Sequence, residues 1–302
     1  MGNRVLITGG SGLIGSSLAP MLLDRGYEVA ILSRNPKPSD RIKSYFWDID
    51  KGIIDEAAFL GTKNIIHLAG AGIAEKKWTG GRKKEITQSR TNSIRLIYKY
   101  LKENSYGVKS CISSGGIGFY GDRGEDWMVE TSPAGIGFLS ESCIEWEKAV
   151  FEGENLGLRI AQLRVGMVLS RKGGGLKPLE TLTSLFLGSA LGSGIQYISW
   201  IHLSDLCRTF IKAIETDSFT GIYNAVAPLP EINKEFSLEL AKAMHKITFL
   251  PNVPEFVLKA FLGEMAAVIL DSTRVSNKKL ESSGFEFQFK TLQKAFQNLY
   301  AD

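Results

Sequence analysis

The chain has 302 residues, 44% hydrophobic and 23% charged, with a net charge of +4; this is the composition of an ordinary folded protein with a sizeable core. Lys and Arg are scattered apart from Lys76-Lys77 and Arg82-Lys83-Lys84, so no dedicated nucleic-acid surface is expected, and no apolar run approaches the ~20 residues of a membrane span. Three scattered cysteines, Cys111, Cys143 and Cys207, and only three histidines argue against a disulfide framework or a zinc site and for a reducing, cytoplasmic setting.

The N-terminus runs straight into an apolar strand, Arg4–Thr8, which leaves no room for a cleavable signal. Thr8-Gly9-Gly10-Ser11-Gly12-Leu13-Ile14-Gly15 follows at once. Gly9 permits a tight turn out of the strand, and Gly12 removes the side chain that would meet a phosphate. Gly15 lets the next helix pack on the sheet, and that helix aims its first N–H groups at the negative charge. The helix itself, Leu13–Arg25, carries Ile14, Leu18, Met21 and Leu22 and stops at Gly26. A second strand is expected over Glu28–Ser33. Folds that bind NAD place an acidic side chain just after it to hold the ribose hydroxyls. Here Ser33-Arg34 stands there, with no Asp or Glu between Val29 and Asn35. A planar guanidinium suits a doubly charged 2′-phosphate, and Lys37 and Arg41 add charge nearby, so the cofactor expected is NADP.

Strands are further expected at Tyr45–Trp47, Asn64–Leu68, Lys109–Ser113 and Arg159–Arg164, with helices at Gly81–Glu103 and Ser140–Gly153. The alternation predicts an α/β protein, a doubly wound parallel sheet of Rossmann type with ligands at the C-terminal ends of its strands. Asp48, Leu68, Ala69 and Gly70, and the serines Ser113 and Ser114 therefore fall where a ligand would lie. Beyond about residue 165 the pattern becomes a smaller, mostly helical substrate lobe. It holds a glycine-rich loop, Gly173-Gly174-Gly175, a strand over Ile198–His202, a helix over Leu203–Ile214 and a short strand at Tyr223–Ala225. Helices follow at Asn233–Met244, Pro254–Leu270, Ser276–Glu281 and Thr291–Leu299, and Met265–Leu270 reads as buried. The division expected is a nucleotide-binding part over 1–165, with strands returning near 199–202 and 223–226, and a C-terminal lobe over 166–302.

Several strings, together with the glycine turn, carry a resemblance: His67-Leu68-Ala69-Gly70, Trp78-Thr79, Ser89-Arg90, Phe119-Tyr120-Gly121, Phe138-Leu139, Trp146-Glu147 and Leu163-Arg164-Val165-Gly166. Ser199-Trp200-Ile201-His202, Tyr223-Asn224-Ala225-Val226-Ala227-Pro228 and Leu262-Gly263-Glu264-Met265 continue it almost to the end. The chain resembles the extended short-chain dehydrogenase/reductase superfamily, which includes sugar-nucleotide epimerases. Within it the chain is similar to an epimerase-like subgroup that ends in a small domain of unknown function. The resemblance implies an NADP-dependent oxidoreductase or epimerase-like enzyme, monomeric or homodimeric, acting on a small polar or nucleotide-linked substrate. Thr8 to Gly15, Ser33, Arg34, Asp48, Leu68, Ala69, Gly70 and Arg90 would then bind the cofactor.

Catalytic members of that superfamily carry Tyr-x-x-x-Lys on the helix after the fifth strand, where the lysine lowers the tyrosine's pKa and holds the nicotinamide ribose. Leu139 and Cys143 occupy those two positions here, and neither can do that chemistry. The active-site serine falls near Ser113, Ser114 or Gly115. Tyr120 and Ser114 remain as candidate catalytic groups, Tyr120 by swinging into the cleft; the alternatives are an aromatic that caps the cleft and packs, and a serine that satisfies its own turn. The alternative is a non-catalytic NADPH-binding sensor or partner-binding protein. Lys83 and Lys84 would bind an acidic group or form a solvated face. His202 and Asp205 are expected at the start of a helix in a structural role. Trp78, Trp127, Trp146 and Trp200 are expected in the core, with lining a substrate pocket as the alternative for Trp200.

Overall fold

A computed structural model describes residues 3–37 and 39–301. One eight-stranded sheet dominates it. Its parallel strands are β1 (Arg4–Thr8), β2 (Glu28–Ser33), β3 (Ile42–Asp48), β4 (Thr62–His67), β5 (Ser110–Gly116), β6 (Arg159–Val165) and β7 (Gly221–Ala225). Their order across the sheet is 3-2-1-4-5-6-7, and Ile53–Ile54 adds an antiparallel edge beside β3. The order reverses at β1, so the crevice between the exits of β1 and β4 is the natural ligand site.

Successive side chains of a strand point to opposite faces, and both faces here are covered by helices, so apolar runs replace polar alternation. Val5, Ile7 and Ile66 pack against α1 (Leu13–Leu23) and the helix Leu203–Glu215, through Leu18, Leu22, Leu206 and Phe210. Leu6, Ile65 and Cys111 pack on the other face against α2 (Gly80–Glu103) and α3 (Phe138–Phe151), through Ile94, Ile97, Trp146 and Val150. Trp200, Leu169, Leu176, Phe236 and Phe296 form a separate core for the C-terminal lobe. No helix among the described residues is long and apolar enough to cross a membrane.

Four expectations change. The strand expected over Ile198–His202 splits, because Ser199 turns away to bond Met167 N–H and the Thr273 carbonyl. Tyr197–Ile198 then pairs with Glu231–Ile232, while Trp200–His202 pairs with Met167–Leu169 and stays outside the main sheet. The helix expected over Pro254–Leu270 breaks at Gly263, whose φ of +59° favours glycine. It becomes Glu255–Leu262, a 3₁₀ turn and Ala267–Leu270. In the Met265–Leu270 stretch only Ala266 is buried, and Val268 is 44% exposed, so that stretch is a surface element. Trp127 is likewise on the surface, 47% exposed with the Arg274 guanidinium over its ring.

Candidate dinucleotide site at the β1 switch point

β1 ends in a turn closed by Gly12 N–H donating to the Gly9 carbonyl at 3.0 Å, with Gly9 at φ +66°. The glycines have separate duties. A Cβ on Gly15 would stand 2.6 Å from Gly10 Cα and from the Gly9 carbonyl, so this residue lets α1 lie on the turn. A Cβ on Gly10 would meet the Ile31 side chain at 2.4 Å. A Cβ on Gly12 would have only the Gly9 carbonyl, at 3.2 Å, within reach among the described residues. Space in front of Gly12 is therefore kept clear of protein. Gly12 is also the N-cap of α1, with no side-chain cap and no acidic residue in the first turn. Free N–H groups at a helix start, without a competing carboxylate, suit an anion. Ser11 and Gly12 are exposed there, Leu13 and Ile14 half-buried. Thr8 is fully buried, and its hydroxyl accepts from Leu68 N–H and Ala69 N–H at 3.1 and 3.0 Å. Its side chain ties the exits of β1 and β4 together and does not face a ligand.

At the end of β2, Ser33 accepts from Asn35 N–H at 3.1 Å, and Arg34 is exposed with no hydrogen-bond or ion-pair partner among the described residues. Asp48, at the end of β3, accepts from Asp50 and Lys51 N–H and pairs with the Lys51 ammonium at 3.4 Å; these bonds hold its carboxyl below the usual range. Its carboxylate closes its own turn.

Across the switch point, Gly70 follows β4 and covers Arg90 of α2: a Cβ there would stand 2.9 Å from the guanidinium carbon. Arg90 is 8% exposed, lies 4.9 Å over the Trp146 ring and donates to the Ile86 carbonyl at 2.7 Å. Burial lowers its pKa to about 10. Beside it, Cys143 donates to the Gly116 carbonyl at the end of β5, and burial pushes its thiol up to about 12. It is a thiol at neutral pH, not a nucleophile. Leu139 packs against Gly118. Ser113 bonds His67 Nδ1 at 3.0 Å, and Ser93 bonds His67 Nε2 at 2.8 Å. Burial, with the Arg90 charge adding to it, lowers the His67 pKa to about 3, so this is a neutral structural link. A side chain at 115 would strike the Gln162 amide at 2.5 Å, and the Ser114 hydroxyl makes only a 3.5 Å contact with the Gly115 carbonyl.

Tyr120 does not reach the cleft. It is fully buried, donating to Asn224 Oδ1 at 2.7 Å and accepting from Arg164 Nη1 at 3.0 Å. Arg164 in turn makes a two-bond pair with Glu147 at 2.7 and 2.9 Å and lies 3.4 Å over the Phe119 ring. Burial raises the Tyr120 pKa, the wrong direction for a proton acceptor. Tyr120→Phe is accordingly expected to cost about 1–3 kcal/mol of stability, by leaving Asn224 and Arg164 short of a partner. Nucleotide affinity should be unchanged; thermal unfolding and calorimetry on the same variant check both.

Glu147 and Arg164 lay inside two of the quoted strings, yet spacing gave neither a role, because their pairing joins helix to strand. His202 accepts from Ser204 N–H at 3.2 Å as the N-cap, and Asp205 accepts from Gln288 and Phe289 N–H, so both are structural. Trp78 packs edge-on to Phe138, and Trp200 is fully buried, donating to the Leu229 carbonyl, so it lines no pocket. Lys83 pairs with Glu264 of the C-terminal lobe, while Lys84 is exposed. A cavity of about 480 Å³ opens beside that lobe, lined by Asp122 of the N-terminal part and by Gln196, Glu255, Lys259, Glu264 and Asp271. Burial, aided by the Asp122 charge, raises the Asp271 pKa to about 6. Among the described residues no group of three His, Cys, Asp or Glu side chains is placed to hold a metal.

A 3-2-1-4-5-6-7 sheet with an uncapped, glycine-lined helix start at its switch point defines a dinucleotide-binding fold. Residues 5–225 match the model of the NAD dependent epimerase/dehydratase family, and residues 253–299 match that of a domain of unknown function (DUF1731). The chain belongs to the NAD dependent epimerase/dehydratase family. It is 33% identical to an epimerase family protein of Mycobacterium leprae over 96% of this chain and 94% of that one. An epimerase family protein of Staphylococcus aureus is 31% identical over 98% of each chain. Among solved structures, the human epimerase family protein SDR39U1 with NADPH superposes with a TM-score of 0.87 at 27% identity, covering 99% of both chains. A UDP-glucuronic acid 4-epimerase from Bacillus cereus, with UDP-glucuronic acid and NAD, has a TM-score of 0.79 at 16% identity over 99% of this chain and 98% of that one, a likeness of fold alone.

Proposed function

We propose that this chain is an NADP(H)-binding, epimerase-like oxidoreductase of the cytoplasm, monomeric or homodimeric, acting on a small polar or nucleotide-linked substrate. The observation that carries the choice of cofactor is Arg34. It stands without a partner among the described residues where an acid would hold a ribose in an NAD site. The residues present fit the group: the clear space at Gly12 and the uncapped start of α1 would take the pyrophosphate, and Arg34 the 2′-phosphate. Bound there, the cofactor supplies a hydride or accepts one. The human neighbour's NADPH supports the same choice. Residues 1–165 with β7 would hold the nucleotide and 166–302 the substrate.

In calorimetry NADPH is expected to bind about 10–100-fold more tightly than NADH, one charge-assisted pair being worth roughly 1.5–3 kcal/mol. Arg34→Asp should erase most of that preference. Equal wild-type affinity for the two cofactors would sink the assignment.

Leu139, the protonated Cys143 and the buried Tyr120 favour a second reading, a non-catalytic NADPH-binding sensor. The two readings separate in one assay. Only an enzyme oxidises NADPH when offered a panel of carbonyl compounds; a sensor binds it and leaves it reduced.

A further inference from the structure

We infer, on the nucleotide-binding reading above, that Arg90 is the cation that grips the ribose on the nicotinamide side of the cofactor. Four arginines are buried among the described residues: Arg4, Arg82, Arg90 and Arg164. Three of them have a carboxylate in contact, Glu28 at 3.2 Å, Glu85 at 2.7 Å and Glu147 at 2.7 Å. Arg90 has none among the described residues, and its side chain makes one protein hydrogen bond, from Nη1 to the Ile86 carbonyl. Its Nε and Nη2 have no protein acceptor, yet neither is sealed from solvent. A buried guanidinium left without a counter-charge is costly, and oxygen acceptors arriving with a ligand remove that cost.

The sheet order says which part of the ligand arrives. β2, with Arg34 after it, lies on one side of β1, and β4 and β5 lie on the other. With the pyrophosphate over the Gly9–Gly15 turn and the 2′-phosphate at Arg34, the remaining half of the dinucleotide falls at the exits of β4 and β5. Arg90 sits there, under Gly70 and beside Cys143, which is anchored to the end of β5. Two N–H groups on one edge of a planar fork match the two vicinal hydroxyl oxygens of a ribose, and little water competes. Cys143 stands where a lysine would need that space, so the charge is delivered from α2 instead of α3.

The test measures two probes by calorimetry: NADPH, and 2′,5′-ADP, which keeps the phosphorylated adenosine end and lacks the nicotinamide riboside. Arg90→Met should weaken NADPH about 10–100-fold and leave 2′,5′-ADP within about twofold. Arg90→Lys, which keeps the charge but not the fork, should weaken NADPH by about three- to tenfold, again with 2′,5′-ADP unchanged. It decides the matter alone if Arg90→Met does not fold. Unchanged NADPH affinity in either folded variant, or an equal loss for both probes, would overturn the assignment. A wild type that binds neither probe would remove the nucleotide reading, and this role with it.

Discussion

Gly12→Val is expected to lose nucleotide binding by upwards of about 100-fold, the loss of two or more charge-assisted N–H bonds to phosphate at roughly 1.5–3 kcal/mol each. The fold should survive. Gly12 has φ −76°, which any residue adopts, and among the described residues its added Cβ meets only the Gly9 carbonyl, at 3.2 Å, within 4 Å. The new side chain therefore grows into the space that would otherwise hold the pyrophosphate. Gly15→Ala is the contrast. Its Cβ would lie 2.6 Å from backbone atoms of Gly9 and Gly10, so that change should lower the melting temperature itself. A Gly12→Val protein that melts like the wild type and gains no stability from NADPH is the expected outcome. One still stabilised by NADPH would move the site elsewhere.

Glu147→Leu should destabilise the fold strongly. It strips the carboxylate from Arg164, which is 2% exposed and donates two of its hydrogen bonds to Glu147. Breaking a buried pair by removing one partner costs about 3–5 kcal/mol, because the other charge stays buried. For a chain of 302 residues that corresponds to a fall of about 5–8 °C in melting temperature. The Glu130 carbonyl and the Tyr120 hydroxyl, which also accept from Arg164, cannot supply the missing negative charge. A drop under about 2 °C would mean that Arg164 finds water or another acceptor, and the network would then be ornamental to the fold. Nucleotide affinity in the surviving folded fraction should stay near wild type, since no member of the pair faces the crevice.

Much of the architecture was legible from local order. The run Arg4–Thr8, the glycine spacing and the apolar stripe of α1 each depend on residues close in sequence, and the structure has the strand, the turn and the helix start at the expected residues. Arg34 was legible for the same reason, since the residue after a short parallel strand has its position set by that strand alone. The Ile198–His202 strand and the Pro254–Leu270 helix were not, because pairing partners and a single left-handed glycine decided them.

The candidate chemical groups divide along the same line. By itself the sequence determined that a glycine-rich turn follows the first strand and that the residue after β2 is basic, each a statement about residue type at a place fixed by neighbours; that Leu139 and Cys143 stand where an acid–base pair would be is implied by the family resemblance. Only the tertiary structure decided that Tyr120 is buried, since its partner Asn224 lies 104 residues away. It alone decided that Arg164 is paired with Glu147 while Arg90, also buried, has no carboxylate in contact among the described residues. A side chain's charge is written in the chain, but what surrounds that charge depends on the elements that fold against it, and burial and partnership settle whether it stabilises the core or waits for a ligand.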